Sequence, residues 1–135
     1  MTDTGVIAAS PNAVAVNGVA AASISNSGTI SGFLRGMDIY NAASVTGAIT
    51  NDGRIVGAHF GIHIVTGSSV GSISNNVGGT ITGGGGIGLF TGSSVTGGIV
   101  NSGAINGGSY GIGLNASTLT GGIVNSGTIS GSRGI

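Results

Sequence analysis

Gly121-Gly122-Ile123-Val124-Asn125-Ser126-Gly127-Thr128-Ile129-Ser130-Gly131 decides the fold, because the chain writes it, with variations, four times before. The earlier copies are Ser23–Gly32, Ala48–Gly57, Ser72–Gly83 and Gly98–Gly107. Their asparagines, with that of the last copy, are Asn26, Asn51, Asn75, Asn101 and Asn125, separated by 25, 24, 26 and 24 residues. A fixed period of this length marks a repeat architecture, in which one coil stacks on the next.

Inside a copy, Ile-x-Asn-x-Gly-x-Ile alternates with polar residues. In the first copy Ile24, Asn26, Gly28 and Ile30 fall on one face, and Ser25, Ser27, Thr29 and Ser31 on the other. A Gly-x-x-x-Gly corner follows, as from Gly57 to Gly61 or Gly107 to Gly111. Next comes a short alternating strand: Met37 and Ile39, Ile62 and Ile64, Ile87 and Leu89, Ile112 and Leu114. A Ser/Thr-rich bend then leads to Val45, Val70, Val95 or Leu119 and on to the next isoleucine. Apolar residues recur at two, not at three and four, so no helix fits. Glycine every few residues would also cost a helix about 1 kcal/mol each. The spacing predicts an all-β chain: a parallel β-helix, or β-solenoid, of 24–26 residues per coil with three short strands in each.

Working outward, the units fall near residues 23–47, 48–71, 72–97, 98–121 and 122–135, and residues 1–22 form an irregular first coil. The third unit carries two extra residues in Ser74-Asn75-Asn76-Val77-Gly78-Gly79, expected as a bulge at that corner, and is one short in Val70-Gly71-Ser72-Ile73. Like residues should stack in columns such as Ile24, Ile49, Ile73, Ile99 and Ile123. Each side chain buried in this way contributes about 1.5–3 kcal/mol, but only when neighbouring coils are present.

Composition narrows the function. The 31 glycines and one proline approach the level of a disordered chain, but 39% hydrophobic residues in a strict period argue for order. Only 4% of residues are charged, with zero net charge, so nothing draws the chain to nucleic acid or anionic lipid. No cysteine is present for a disulfide or a thiolate metal site. No basic segment precedes an apolar one at the start, so no export signal is visible, and no apolar run reaches the length of a membrane helix.

Runs such as Thr96-Gly97-Gly98-Ile99-Val100-Asn101-Ser102-Gly103 and Ile123–Gly131 resemble the passenger repeats of autotransporters and of filamentous-haemagglutinin-like surface proteins of bacteria. The resemblance covers roughly residues 23–135 and is one of repeat style, without a catalytic motif. It implies a right-handed β-helix, secreted or displayed at the surface of a Gram-negative cell.

Several columns are candidate functional positions. Asn26, Asn51, Asn75, Asn101 and Asn125 point inward and should form a ladder of amides hydrogen-bonded from coil to coil; ligand binding by those amides is the alternative. Arg35, Phe60, Gly85, Tyr110 and Arg133 share a second column, in which Arg35 would meet Phe60 and Tyr110 would meet Arg133 as cation–π pairs. Tyr40, Val65, Phe90 and Asn115 share a third. These aromatics offer either corner packing or a contact surface for glycans or a host protein. Asp38 and His63 fall together one coil apart and read as a surface hydrogen-bonded pair, since no third metal ligand shares their column. Three acids scattered along the chain do not assemble an acid–base site, so no enzyme, cofactor or metal is expected. Thr29-Ile30-Ser31, Thr80-Ile81-Thr82 and Thr128-Ile129-Ser130 resemble ice-binding ladders, but Arg54, Val56, Ala104 and Asn106 interrupt the array. The reading that fits best is a structural protein of the cell surface or extracellular space, lengthening a fibre by head-to-tail stacking of coils. An adhesin-like binding module is the alternative.

Overall fold

The computed structural model describes residues 1–135 and contains strands without a helix. All strand pairs are parallel and join equivalent positions of successive coils, so the chain is a β-solenoid of about five turns. At the spacing of adjacent strands, five steps give a rod about 25 Å long.

The strands gather into two sheets of nine strands each. The first holds Ile24–Asn26, Ser44–Asn51, Ser69–Asn75, Ile99–Asn101 and their neighbours. The second holds Thr29–Gly32, Arg35–Tyr40, Phe60–Ile64, Thr80–Phe90, Ala104–Asn115 and theirs. Ile-x-Asn-x-Gly-x-Ile, expected as one extended strand, bends at Ser27-Gly28, so Ile24 belongs to one sheet and Ile30 to the other. Both still point inward and are buried. The bend is tight because the position a Gly28 Cβ would take lies 2.7 Å from the Gly5 backbone nitrogen one coil below.

The core is a single cluster of 21 buried residues, built from the expected columns. Ile24, Ile49, Ile73, Ile99 and Ile123 pair in register, as do Ile30, Ile55, Ile81, Ile105 and Ile129. The second glycine of each corner makes room for the latter column. A Cβ on Gly61 would stand 2.5 Å from Ile81 Cγ2, and one on Gly36 would stand 2.7 Å from Ile55 Cγ2. Interiors this dense leave no slack for a methyl group.

Residues 1–22 form a coil in full register. Thr2–Asp3 pairs with Ser25 and Asn26, Val6–Ala9 with Thr29–Gly32, and Asn12–Asn17 with Arg35–Tyr40. Its irregularity lies in its residues, since Asp3 takes the asparagine position. The third coil absorbs its length differences locally. Its two extra residues form a turn over Asn76–Gly79, closed by Gly79 N donating to Asn76 O at 2.9 Å. A register shift at Val70–Ser72 takes up the expected deficit, and a second at Gly83–Gly85 marks a corner one residue shorter than that of the next coil. Bends between the second sheet and the next coil carry two left-handed residues each, Asn41 with Ala42, Thr66 with Gly67 and Thr91 with Gly92, whereas Ala116 and Gly18 stand singly there.

Candidate functional site

The asparagine column forms the expected ladder, and every rung donates in the same direction. Asn26 Nδ2 donates to Asn51 Oδ1 at 2.7 Å, Asn51 to Asn75 at 2.8 Å, Asn75 to Asn101 at 2.7 Å and Asn101 to Asn125 at 2.7 Å. The remaining amide hydrogens go to backbone carbonyls at the corner, as from Asn75 to Gly79 O at 3.1 Å and Ala104 O at 3.2 Å. Asn26, Asn51, Asn75 and Asn101 are fully buried. A buried amide must find partners, and identical neighbours one coil away supply them. These side chains serve the fold, with no face left for a ligand.

A second inward polar column, which sequence reasoning missed, consists of Ser68, Ser93 and Ser117. Ser93 Oγ donates to Ile64 O at 3.1 Å and Ser117 Oγ to Leu89 O at 3.0 Å, while Ser68 Oγ accepts from Ala43 N at 3.2 Å. They satisfy backbone groups left free where the left-handed bend interrupts the ladder. The repeated Ser68-Ser69-Val70 and Ser93-Ser94-Val95 held the signal.

The other candidates lie on the outer face of the second sheet. Arg35, Phe60, Gly85, Tyr110 and Arg133 occupy one column in register, and Asp38, His63, Gly88 and Gly113 the next. A kink at Gly36 brings these columns to one face. Gly36 turns toward Ile55 and Met37 is fully buried, so Arg35 and Asp38 both point outward although three residues apart.

Neither expected cation–π pair forms. The Arg35 guanidinium reaches Asp38 Oδ2 at 3.4 Å, because a carboxylate holds it more strongly than a ring face does, and Arg133 meets Tyr110 through a backbone bridge alone. Phe60 instead joins other rings. Its centroid is 5.0 Å from His63, 5.5 Å from Phe90 and 6.4 Å from Tyr110, and His63 is 5.6 Å from Phe90. Glycines make the room: a Cβ on Gly88 would stand 2.7 Å from Phe60 Cε1, and one on Gly113 would stand 2.7 Å from Tyr110 Cδ2. Phe60 and Tyr110 therefore lie over Gly85, Gly88 and Gly113, Phe90 meets Phe60 edge-on at 65°, and all three rings remain half-buried. Tyr40, in the Phe90 column, joins no ring.

Asp38 and His63 do pair, and the pair is buried, not superficial: Asp38 is 5% exposed and His63 8%. Asp38 Oδ1 lies 2.7 Å from His63 Nδ1, and Oδ2 accepts from Asn12 Nδ2 at 2.8 Å as well as from Arg35. A carboxylate only accepts, so the imidazole proton sits on Nδ1 and Nε2 presents its lone pair away from Asp38. No protein group bonds Nε2, which stays open to solvent. Beside this patch an open hollow of about 390 Å³ is lined by Phe90, Tyr110, Leu114, Arg133 and Ile135, among others. No three His, Asp or Glu side chains converge as metal ligands would. What the arrangement can do chemically is hold an apolar surface, on which Phe60 and Tyr110 are 28° apart in plane and Phe90 stands at 65° to Phe60, beside one oriented imidazole. Comparison of the chain with family models, with curated proteins and with solved structures finds no match to any of them.

Proposed function

We propose that the chain is a structural shaft, a solenoid that forms or lengthens an extracellular or cell-surface fibre by head-to-tail stacking of coils. The observation that supports this best is the one-way ladder. Asn125 Nδ2 donates only to Gly127 O, at 3.2 Å, and is exposed, while the first rung, Asp3, carries only acceptor oxygens. A donor at one end and an acceptor at the other suit a contact in which the Asp3 rung of one copy follows the Asn125 rung of another, with Ile7 over Ile129. The low charge of the chain leaves little repulsion to oppose that contact. On this reading the chain works by its length and stiffness and catalyses nothing. Electron microscopy and fibre diffraction of the concentrated protein check it. Thin unbranched filaments with an axial reflection near 4.8 Å are expected. Particles that remain single at every concentration would overturn the head-to-tail contact.

A further inference from the structure

We infer that the outer face of the second sheet, where Phe60, Phe90 and Tyr110 lie around His63, is a binding patch for a neutral saccharide. The inference concerns a side of the rod and is independent of how its ends associate.

Three features define the occupant. The first is the floor. Phe60, Phe90 and Tyr110 are half-buried over a row of glycines, so ring surface stays open where side chains would otherwise stand. Sugars carry C–H groups on one face of the ring, and such faces pack against aromatic surface. The second is His63. The residue is 8% exposed, and its Nε2, without a partner in the protein, is among the atoms that solvent still reaches. Asp38 fixes the ring, so that nitrogen is aimed before a ligand arrives and loses little freedom on binding one. A sugar hydroxyl can donate to that lone pair.

The third feature is charge. The carboxylate of Asp38 is already taken by Asn12, Arg35 and His63, and the Arg35 guanidinium by Asp38. At His63 itself no uncompensated charge is offered, which favours a neutral ligand there over phosphate, and the unpaired cation nearby, Arg133, lies beyond Tyr110 in the hollow. The floor runs along the rod axis across three coils, with the ring centroids of Phe60 and Tyr110 6.4 Å apart. A short stretch of an oligosaccharide covers that length. A patch this shallow should bind weakly, with Kd in the range of about 0.1–10 mM.

Nuclear magnetic resonance of the whole chain, labelled in its aromatic and histidine rings, tests this with cellohexaose, maltohexaose and a galactose hexasaccharide as separate probes. Saturable shifts at His63, Phe90 and Tyr110 are expected with at least one probe, while the isoleucine methyl signals stay in place. His63→Gln and Phe60→Leu should each weaken that binding at least about tenfold with the methyl spectrum unchanged. Absence of a saturable shift with all three probes at about 20 mM overturns the inference. So does binding that survives in both variants. Shifts at the same rings that follow protein concentration without sugar would also overturn it, and would assign the patch to a second copy of the chain.

Discussion

Asp3 stands directly below Asn26 in the same column, and its Oδ2 is buried without a hydrogen-bond partner. On the next four rungs, Asn26, Asn51, Asn75 and Asn101, the corresponding atom is an amide nitrogen that donates to the rung above. An oxygen there faces acceptors. Asp3→Asn restores the donor, and the gain from satisfying a buried group is about 1 kcal/mol. Thermal unfolding followed by circular dichroism should show the midpoint rise by about 3–5 °C. A fall would mean that Asp3 Oδ2 has a partner the column geometry does not provide.

Asn75 sits in the middle of the ladder and Asn125 at its last rung. Asn75→Leu removes the donor to Asn101 Oδ1 and the acceptor of Asn51 Nδ2, so each of two buried neighbours loses one hydrogen bond. The expected loss is about 2–4 kcal/mol in urea unfolding. Asn125→Leu strands only Asn101 on one side of an exposed rung, and about 1 kcal/mol or less is expected. Equal losses at the two positions would contradict the ladder as the source of the effect.

Gly61→Ala places a methyl group 2.5 Å from Ile81 Cγ2 and 2.9 Å from Gly86 O. Overpacking of this kind costs about 1–3 kcal/mol. Ala at position 84, where the nearest atom would be a backbone oxygen at 3.1 Å, should cost less. Denaturant midpoints of the two variants measured side by side give the comparison.

Asp38→Ala leaves Asn12, Arg35 and His63 without their shared acceptor and should cost about 2–4 kcal/mol. Arg35→Leu removes a partly exposed cation and should cost under about 1 kcal/mol. The measurement is again urea unfolding, and a larger loss for Arg35→Leu would shift the weight of the cluster from the carboxylate to the cation.

Column membership was legible from spacing alone. Asn26 to Asn125, Arg35 against Phe60, and Asp38 against His63 all pair where counting puts them, because a parallel stack permits little else. The corner at Ser27-Gly28 was not legible. Inward and outward residues keep alternating through it, so a bend and a straight strand give the same pattern. The first coil did carry a sign in Asp3-Thr4-Gly5-Val6-Ile7, which has the Asn-x-Gly-x-Ile spacing with Asp for Asn. The choice of Arg35 between Asp38 and Phe60 was hidden for a different reason. Counting by twos puts Arg35 and Asp38 on opposite faces, and only the inward turn of Gly36 joins them.

The rod owes its cohesion to amide and backbone contacts and to stacked isoleucines, with Arg35–Asp38 its only pairing of two permanently charged side chains. Dissolved ions therefore have almost nothing to screen along its length. A rod held together this way is expected to keep the same span in rainwater and in brine, a tolerance that a surface laced with lysine and glutamate would not share.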